Sequence, residues 1–167
     1  MPFPVAVPKF IGTVSLGLLT NKQGVSYTLT STAYPSLLLL PSATHASKTY
    51  AFISLRAQRH TIALALSALA SFGTAYALSP RRARHPYLLW TALLALVGVA
   101  PDLIKLARSY AVGGPSTLQQ DRETTAGVNG EMVEERVRKA TRREVIRGVV
   151  SGFAFAMGVV GLWGDGA

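Results

Sequence analysis

The chain has 167 residues, 49% of them hydrophobic and 15% charged, with a formal net charge of +9 and no cysteine. An average soluble domain is roughly 25% charged, so the chain is charge-poor, and its mean hydropathy is +0.30. The lack of cysteine excludes disulfides and thiolate metal sites, while the positive balance points to an acidic partner: lipid headgroups, nucleic acid or an acidic protein.

The N-terminal "MPFPVAVPKFIG" carries Lys9 as its one charge. It has neither the basic start of a secretory signal nor the Arg-rich amphipathic helix of a mitochondrial presequence. Pro2, Pro4 and Pro8 oppose an early helix, so an organelle address would have to be internal. Next come "FIGTVSLGLLT" and "VSYTLTSTAYPSLLLL", both apolar, with "NKQG" between them. One helix from about Phe10 to Leu40 would run roughly 46 Å, more than one crossing needs, and would put Lys22 inside the membrane unless it snorkelled. A bent single span and two segments meeting at Asn21 to Gly24 both fit, and Pro35 allows a kink or a break. We count this region as one span.

The clearest span is Ile62 to Leu78, 17 residues without a charge. As a helix it is roughly 26 Å long, close to the ~30 Å hydrocarbon core. Arg56 and Arg59 precede it; Arg81, Arg82 and Arg84 follow. Every face is apolar or small, which suits lipid. Ala63, Ser67, Ser71 and Ala75 recur every four residues and offer a face for close helix packing. The stretch "SPRRARHPYLLW", Ser79 to Trp90, then reads as a short turn between two apolar helices. Its basic side chains belong in the headgroup layer, each worth about 1 kcal/mol against anionic lipid. A nucleic-acid site would want a broader basic surface with exposed aromatics, so nucleic acid is not an expected partner.

A third apolar block runs from Tyr87 to Ala100, lengthened by "PDLI". Tyr87 and Trp90 suit an aromatic belt. An aspartate at mid-bilayer costs about 2.5–3.5 kcal/mol on insertion scales. Asp102 is therefore expected at the interface, paired with Lys105 one turn on.

From Ala111 the chain turns polar. "VGGPSTLQQDRETTAGVNG" reads as a flexible linker, with Ser116, Thr117, Thr124 and Thr125 as candidate phosphorylation sites. "EMVEERVRKATRREVIR" reads as a helix, acidic at its start and basic at its end, as the helix dipole favours. Glu134–Arg138 and Glu135–Lys139 are i,i+4 pairs worth about 0.2–0.5 kcal/mol each. Its apolar stripe of Met132, Val133, Val137, Ala140 and Val145 is thin. It reads as a solvated helix leading into the last span, or as a partner-binding helix on the membrane surface. The last span, Gly148 to Trp163, is roughly 24 Å long and carries a second small-residue column at Gly148, Gly152 and Ala156.

The expected fold is all-α: a multi-pass transmembrane helical bundle of about four spans with a polar loop before the last. Residues 1–110 form the membrane region with about three spans, 111–147 the polar linker and charged helix, and 148–167 the last span and short tail. The positive-inside rule places the Ala43–Thr61 and Lys105–Arg147 loops in the cytosol. His45, His60 and His85 have no second ligand at helical spacing, and no phosphate loop or Ser elbow is present. We expect no catalytic residues, no metal and no cofactor.

"RHPYLLW", Arg84 to Trp90, resembles the inter-span signature of the fungal autophagy-related protein 33 family. "FIGTVSLGLLT", "SYTLTSTAYPSLLLLPSA" and "GVVGLWGDG" are similar to that family's first and last spans. "NKQ" at Asn21 to Gln23 departs from the uninterrupted first span the family implies, and reads as a local insertion or an artefact of the gene model. The resemblance implies several spans, residence in the mitochondrial outer membrane and a part in selecting mitochondria for degradation, without enzymatic activity. The partners would be the bilayer and autophagy proteins that contact residues 111–147. Aromatic-x-x-aliphatic motifs of the kind mitophagy receptors use occur at Tyr34–Leu37, Tyr50–Ile53 and Phe52–Leu55, but lack acidic neighbours and read as interfacial aromatics. Two other readings stand beside this one: a structural subunit of a larger membrane complex, and a small transporter.

Uncharged helices solvated by acyl chains resist alkaline carbonate. The chain is expected in the membrane pellet after carbonate extraction of organelles; its recovery in the supernatant would refute the membrane reading.

Overall fold

The computed structural model describes residues 3–79, 86–111 and 129–164. Arg81, Arg82, Arg84 and His85, and the candidate phosphorylation sites Ser116, Thr117, Thr124 and Thr125, lie outside the described residues. Among those described, all regular structure is helical. The elements are α1 (Phe3–Thr28), a π-helical turn (Leu29–Ala33), α2 (Tyr34–Leu37), α3 (Ala43–Leu78), α4 (Tyr87–Val97), α5 (Ala100–Ala111) and α6 (Gly130–Gly164).

The first helix starts at Phe3, against the expectation from Pro4 and Pro8. Pro4 sits in the first turn, where a backbone N–H has no helical partner to lose. Helix also continues past Asn21–Gln23, so these residues are neither looped out nor a break between two segments. At Pro35, which lacks an N–H, the backbone widens into the π-turn and the Tyr34 N–H donates to the Leu29 carbonyl. The chain thus runs helical from Phe3 to Leu37, roughly 52 Å. Thr28, Thr30 and Ser31 donate their hydroxyls to carbonyls one turn back, so this polar stretch satisfies itself on its own helix.

The segment before the second apolar block, expected as a loop, is instead the first half of α3. Ala46 and Thr61 are buried, and Tyr50, Ile53 and Ala57 are half-buried between them. That spacing of three and four residues gives the segment a helical packing face. Likewise the charged helix and the last apolar block are one helix of 35 residues. Its arginines at 142, 143 and 147 therefore sit at mid-helix, where the dipole argument does not reach. The two exposed pairs form as expected, Arg138–Glu134 at 3.8 Å and Lys139–Glu135 at 2.7 Å.

Four helices close into a ring in which each packs on its neighbours: α1 on α3, α3 on α4, α4 on α6 and α6 on α1. The order is up-down-up-down. Among the described residues the ring holds two larger cores, one above the other, and a smaller cluster of Ile62, Ala65 and Val99. The lower joins Leu16 and Leu19 of α1, Ala68 and Phe72 of α3, Leu88, Ala92 and Ala95 of α4 and Ala154 of α6. The upper joins Leu29, Tyr34, Leu37, Ala46, Val133, Val137 and Ala140. Because α4 has 11 residues, the upper core is built by the three long helical segments alone. We call this upper part the stalk.

Among the described residues two helices, α3 and α6, are long and apolar enough to cross a membrane, and a third crossing arises if α4 and α5, bent by 54°, count as one. The structure does not bear out the count of four. The described apolar run of α1, Phe10 to Thr20, meets Asn21, Lys22 and Gln23 too soon.

The buried seam of α3 differs from the expected one. Thr61, Ala65, Ala68, Phe72 and Ala75 face the core, while Ala63 and Ser67 point outward. Phe72 needs depth, and the bulky residue selects the seam that the small-residue column alone did not reveal. On α6, Gly148 and Gly152 do face α1, at Ser26 and Gln23, but Ala156 is exposed. Gly158 lies where α6 meets α1 and α4 together, and an added Cβ would lie 2.7 Å from Leu16 Cδ2 and 3.4 Å from Thr91 Cγ2.

Gly158→Leu forces three helices apart at that point. The expected loss is about 1–3 kcal/mol, read as a lower unfolding temperature in detergent; no change would remove the three-helix contact.

Candidate functional site

Between the two cores lies a layer of buried charge. Lys22 of α1, Asp102 of α5, and Glu144 and Arg147 of α6 are each at most 4% exposed. Their formal charges cancel, two positive against two negative. Arg143 stands at the edge with Nη1 3.8 Å from Asp102 Oδ1.

The layer forms where α4 breaks. Pro101 has no N–H to continue the ladder, and the turn before it tightens. The Val99 N–H donates to the Leu96 carbonyl, and the Asp102 N–H to the Val99 carbonyl, both at 3.0 Å. That shift leaves the Ala95 and Gly98 carbonyls without their usual helical donors. Two basic side chains from other helices take the vacant places. Lys22 Nζ donates to the Ala95 carbonyl at 2.9 Å, and Arg147 Nε donates to the Gly98 carbonyl at 3.1 Å. Cations at a helix C-terminus are favoured by its dipole. Gly98 gives the ammonium room, since a Cβ there would lie 3.0 Å from Lys22 Nζ.

Asp102, on the far side of the break, occupies the first turn of α5, where the dipole favours an anion. Arg147 Nη2 donates to Asp102 Oδ2. Its other terminal nitrogen, Nη1, donates to Glu144 Oε1 at 2.6 Å. Ser26 Oγ completes the set by donating to Glu144 Oε2 at 3.0 Å, and Gln58 Nε2 of α3 donates to the Asp102 carbonyl at 3.5 Å. Every long helix thus sends a polar side chain to one break in the backbone.

The expected partner of Asp102 is corrected here. Lys105 is exposed, and Asp102 pairs with Arg147 and Arg143. An i,i+3 argument considers one helix at a time, and the winning partner arrives from another. Lys22, Ser26, Gln58, Glu144 and Arg147 were not singled out together from sequence. A signal existed on α1, where Ser15, Leu19, Lys22 and Ser26 recur at helical spacing on the face that becomes buried.

The motif candidates separate clearly. Tyr34 and Leu37 are buried in the stalk, with the Tyr34 and Tyr50 ring centroids 5.9 Å apart. Ile53 packs beside them. Phe52 and Leu55 are exposed, on helix instead of extended chain. His45 and His60 are also exposed, and among the described residues no group of His, Asp or Glu is placed to hold a metal. The cluster uses its hydrogen bonds on itself and on the helix break, which makes it a clamp.

These features define an all-helical protein with two or three candidate membrane spans, closed by a neutral ion cluster at a broken helix. The chain belongs to the autophagy-related protein 33 family, whose model matches residues 1–111. It is 43% identical over 188 aligned positions to autophagy-related protein 33 of Gibberella zeae, covering 98% of this chain and 92% of that one. No solved structure matches. The family model covers Lys22, Ser26 and Asp102; their α6 partners lie beyond it.

Removing Arg147 leaves two buried carboxylates without their cation. Arg147→Met is expected to cost about 3–5 kcal/mol, measured by thermal unfolding in detergent. Arg147→Gln with Asp102→Asn should be milder than the sum of the single changes, with a coupling of about 0.5–3 kcal/mol. Strict additivity would dissolve the clamp.

Proposed function

We propose that this chain is a non-enzymatic, four-span protein of the mitochondrial outer membrane that promotes selective degradation of mitochondria through protein contacts of residues 111–147. The observation that carries the reading is the 43% identity across nearly the whole chain to a protein named for autophagy. The fourth span is the first half of α1, whose Leu16 and Leu19 share a core with the apolar parts of α3, α4 and α6. The outward faces of the stalk bear Lys48, Arg56, Arg59, Arg138, Lys139 and Arg142. The positive-inside rule turns such an end toward the cytosol, where autophagy proteins act. The polar linker joins α5 to α6 on that side, and phosphate on Ser116, Thr117, Thr124 or Thr125 would add about −1.5 to −2 charges to it.

Deleting Gly113 to Gly130 is expected to lower mitophagy flux while protease protection of tagged termini stays the same. Unchanged flux would reject the role of the linker, and a tag on another organelle would reject the location. A second reading, as a subunit of a larger membrane complex, draws on the outward Ala63 and Ser67 of α3. Comigration with a stable assembly on native gels would favour it.

A further inference from the structure

The outer surface between α4 and α6 carries two grooves that meet at Val150. The lower has a volume of about 600 Å³ and is lined by Tyr87, Leu94, Val150, Phe153, Met157 and Val160, among other apolar or small residues. The upper, about 380 Å³, has apolar walls at Val97, Pro101, Ile146 and Val150 and a basic rim of Lys139, Arg142 and Arg143. Each lies within the size range of small-molecule sites. From Ile146 to Val160 the α6 wall is roughly 21 Å long, enough for a chain crossing one leaflet of roughly 15 Å.

Lys139 is paired with Glu135 across the helix surface, but the two arginines of the rim have positive charge to spare. Arg142 makes no ion pair with any described residue. Among the described residues Arg143 forms one ion pair, with Asp102 at 3.8 Å, and its Nε has no hydrogen-bond partner there. Asp102 is already neutralised by Arg147. The rim also stands at the level of the α4 break, where apolar helix surface gives way to charged stalk. An occupant of both grooves needs an anionic head and a long apolar tail, joined end to end and aligned with the helices.

We propose that the α4–α6 face binds an anionic glycerophospholipid. Its headgroup lies between Lys139, Arg142 and Arg143, and one acyl chain lies along Val150, Phe153 and Met157. The site requires the bundle to sit in a bilayer but requires no role in autophagy, and its test reads lipid alone.

The test uses the full-length chain, purified in detergent from bilayers of phosphatidylcholine doped with phosphatidylserine, with retained lipid identified by native mass spectrometry. Phosphatidylserine should be enriched over its bulk share, each basic side chain contributing about a fivefold factor. Lys139→Gln with Arg142→Gln, both outside the buried cluster, should cut the enrichment at least about fivefold, leaving what Arg143 contributes. Lys48→Gln on α3 should leave it intact. Ala156→Phe, which fills the lower groove from an exposed position, should lower retention of both lipids. Equal retention of the two lipids by the unaltered chain would overturn the proposal and leave the face to a partner helix. So would enrichment that the double change leaves unaltered or that falls equally in Lys48→Gln, or lipid retention that Ala156→Phe leaves untouched.

Discussion

The architecture depends on one interrupted helix. Two carbonyls at the end of α4 lose their backbone donors, and a buried orphan carbonyl costs about as much as a lost hydrogen bond. Lys22 and Arg147 supply the donors from two other helices, and Asp102 and Glu144 then neutralise the cations. Each charge would be expensive alone in a low-dielectric interior. Together, and set against the dipole ends of α4 and α5, they form a closed neutral unit. The register of α1 against α6 follows from it, because Ser26 and Lys22 must both reach the same layer.

The break also divides the molecule by the character of its surface. Below it the ring has four helices, a continuous apolar core and small residues at the contacts, as suits lipid, where close packing replaces the hydrophobic effect as the cohesive term. Above it three helices continue as a stalk with hydroxyls and charges on its outside and an apolar seam within. Helices of roughly 50 Å exceed the ~30 Å hydrocarbon core by about 20 Å, and the ion layer lies near the point where the excess begins. Lys22 therefore does not snorkel to an interface; it is held inside by a carbonyl that has no other donor.

The cluster bears on how charge in a membrane helix is read. Intramembrane ionisable residues usually mark a pathway or a relay. Here each buried ion is engaged by a fixed partner, and the chemistry left over lies outside the bundle. Among the described residues it consists of the basic rim beside α4 and the exposed pairs of the stalk.

Much of this was legible in the residues alone. Uncharged runs at Ile62–Leu78 and Gly148–Trp163 identified the candidate spans of α3 and α6 because length and hydropathy are local properties. So were Glu134–Arg138 and Glu135–Lys139, neighbours on one helix face whatever surrounds them. The family resemblance was likewise carried by short strings of sequence. Three-dimensional packing alone decided the partner of Asp102, the inward placement of Lys22, the outward turn of Ala63 and Ser67 and the helical course of Ala43–Thr61. Each of those depends on which face meets a neighbouring helix. A carbonyl freed at residue 95 can be answered by a lysine at residue 22 only after the fold has brought them together.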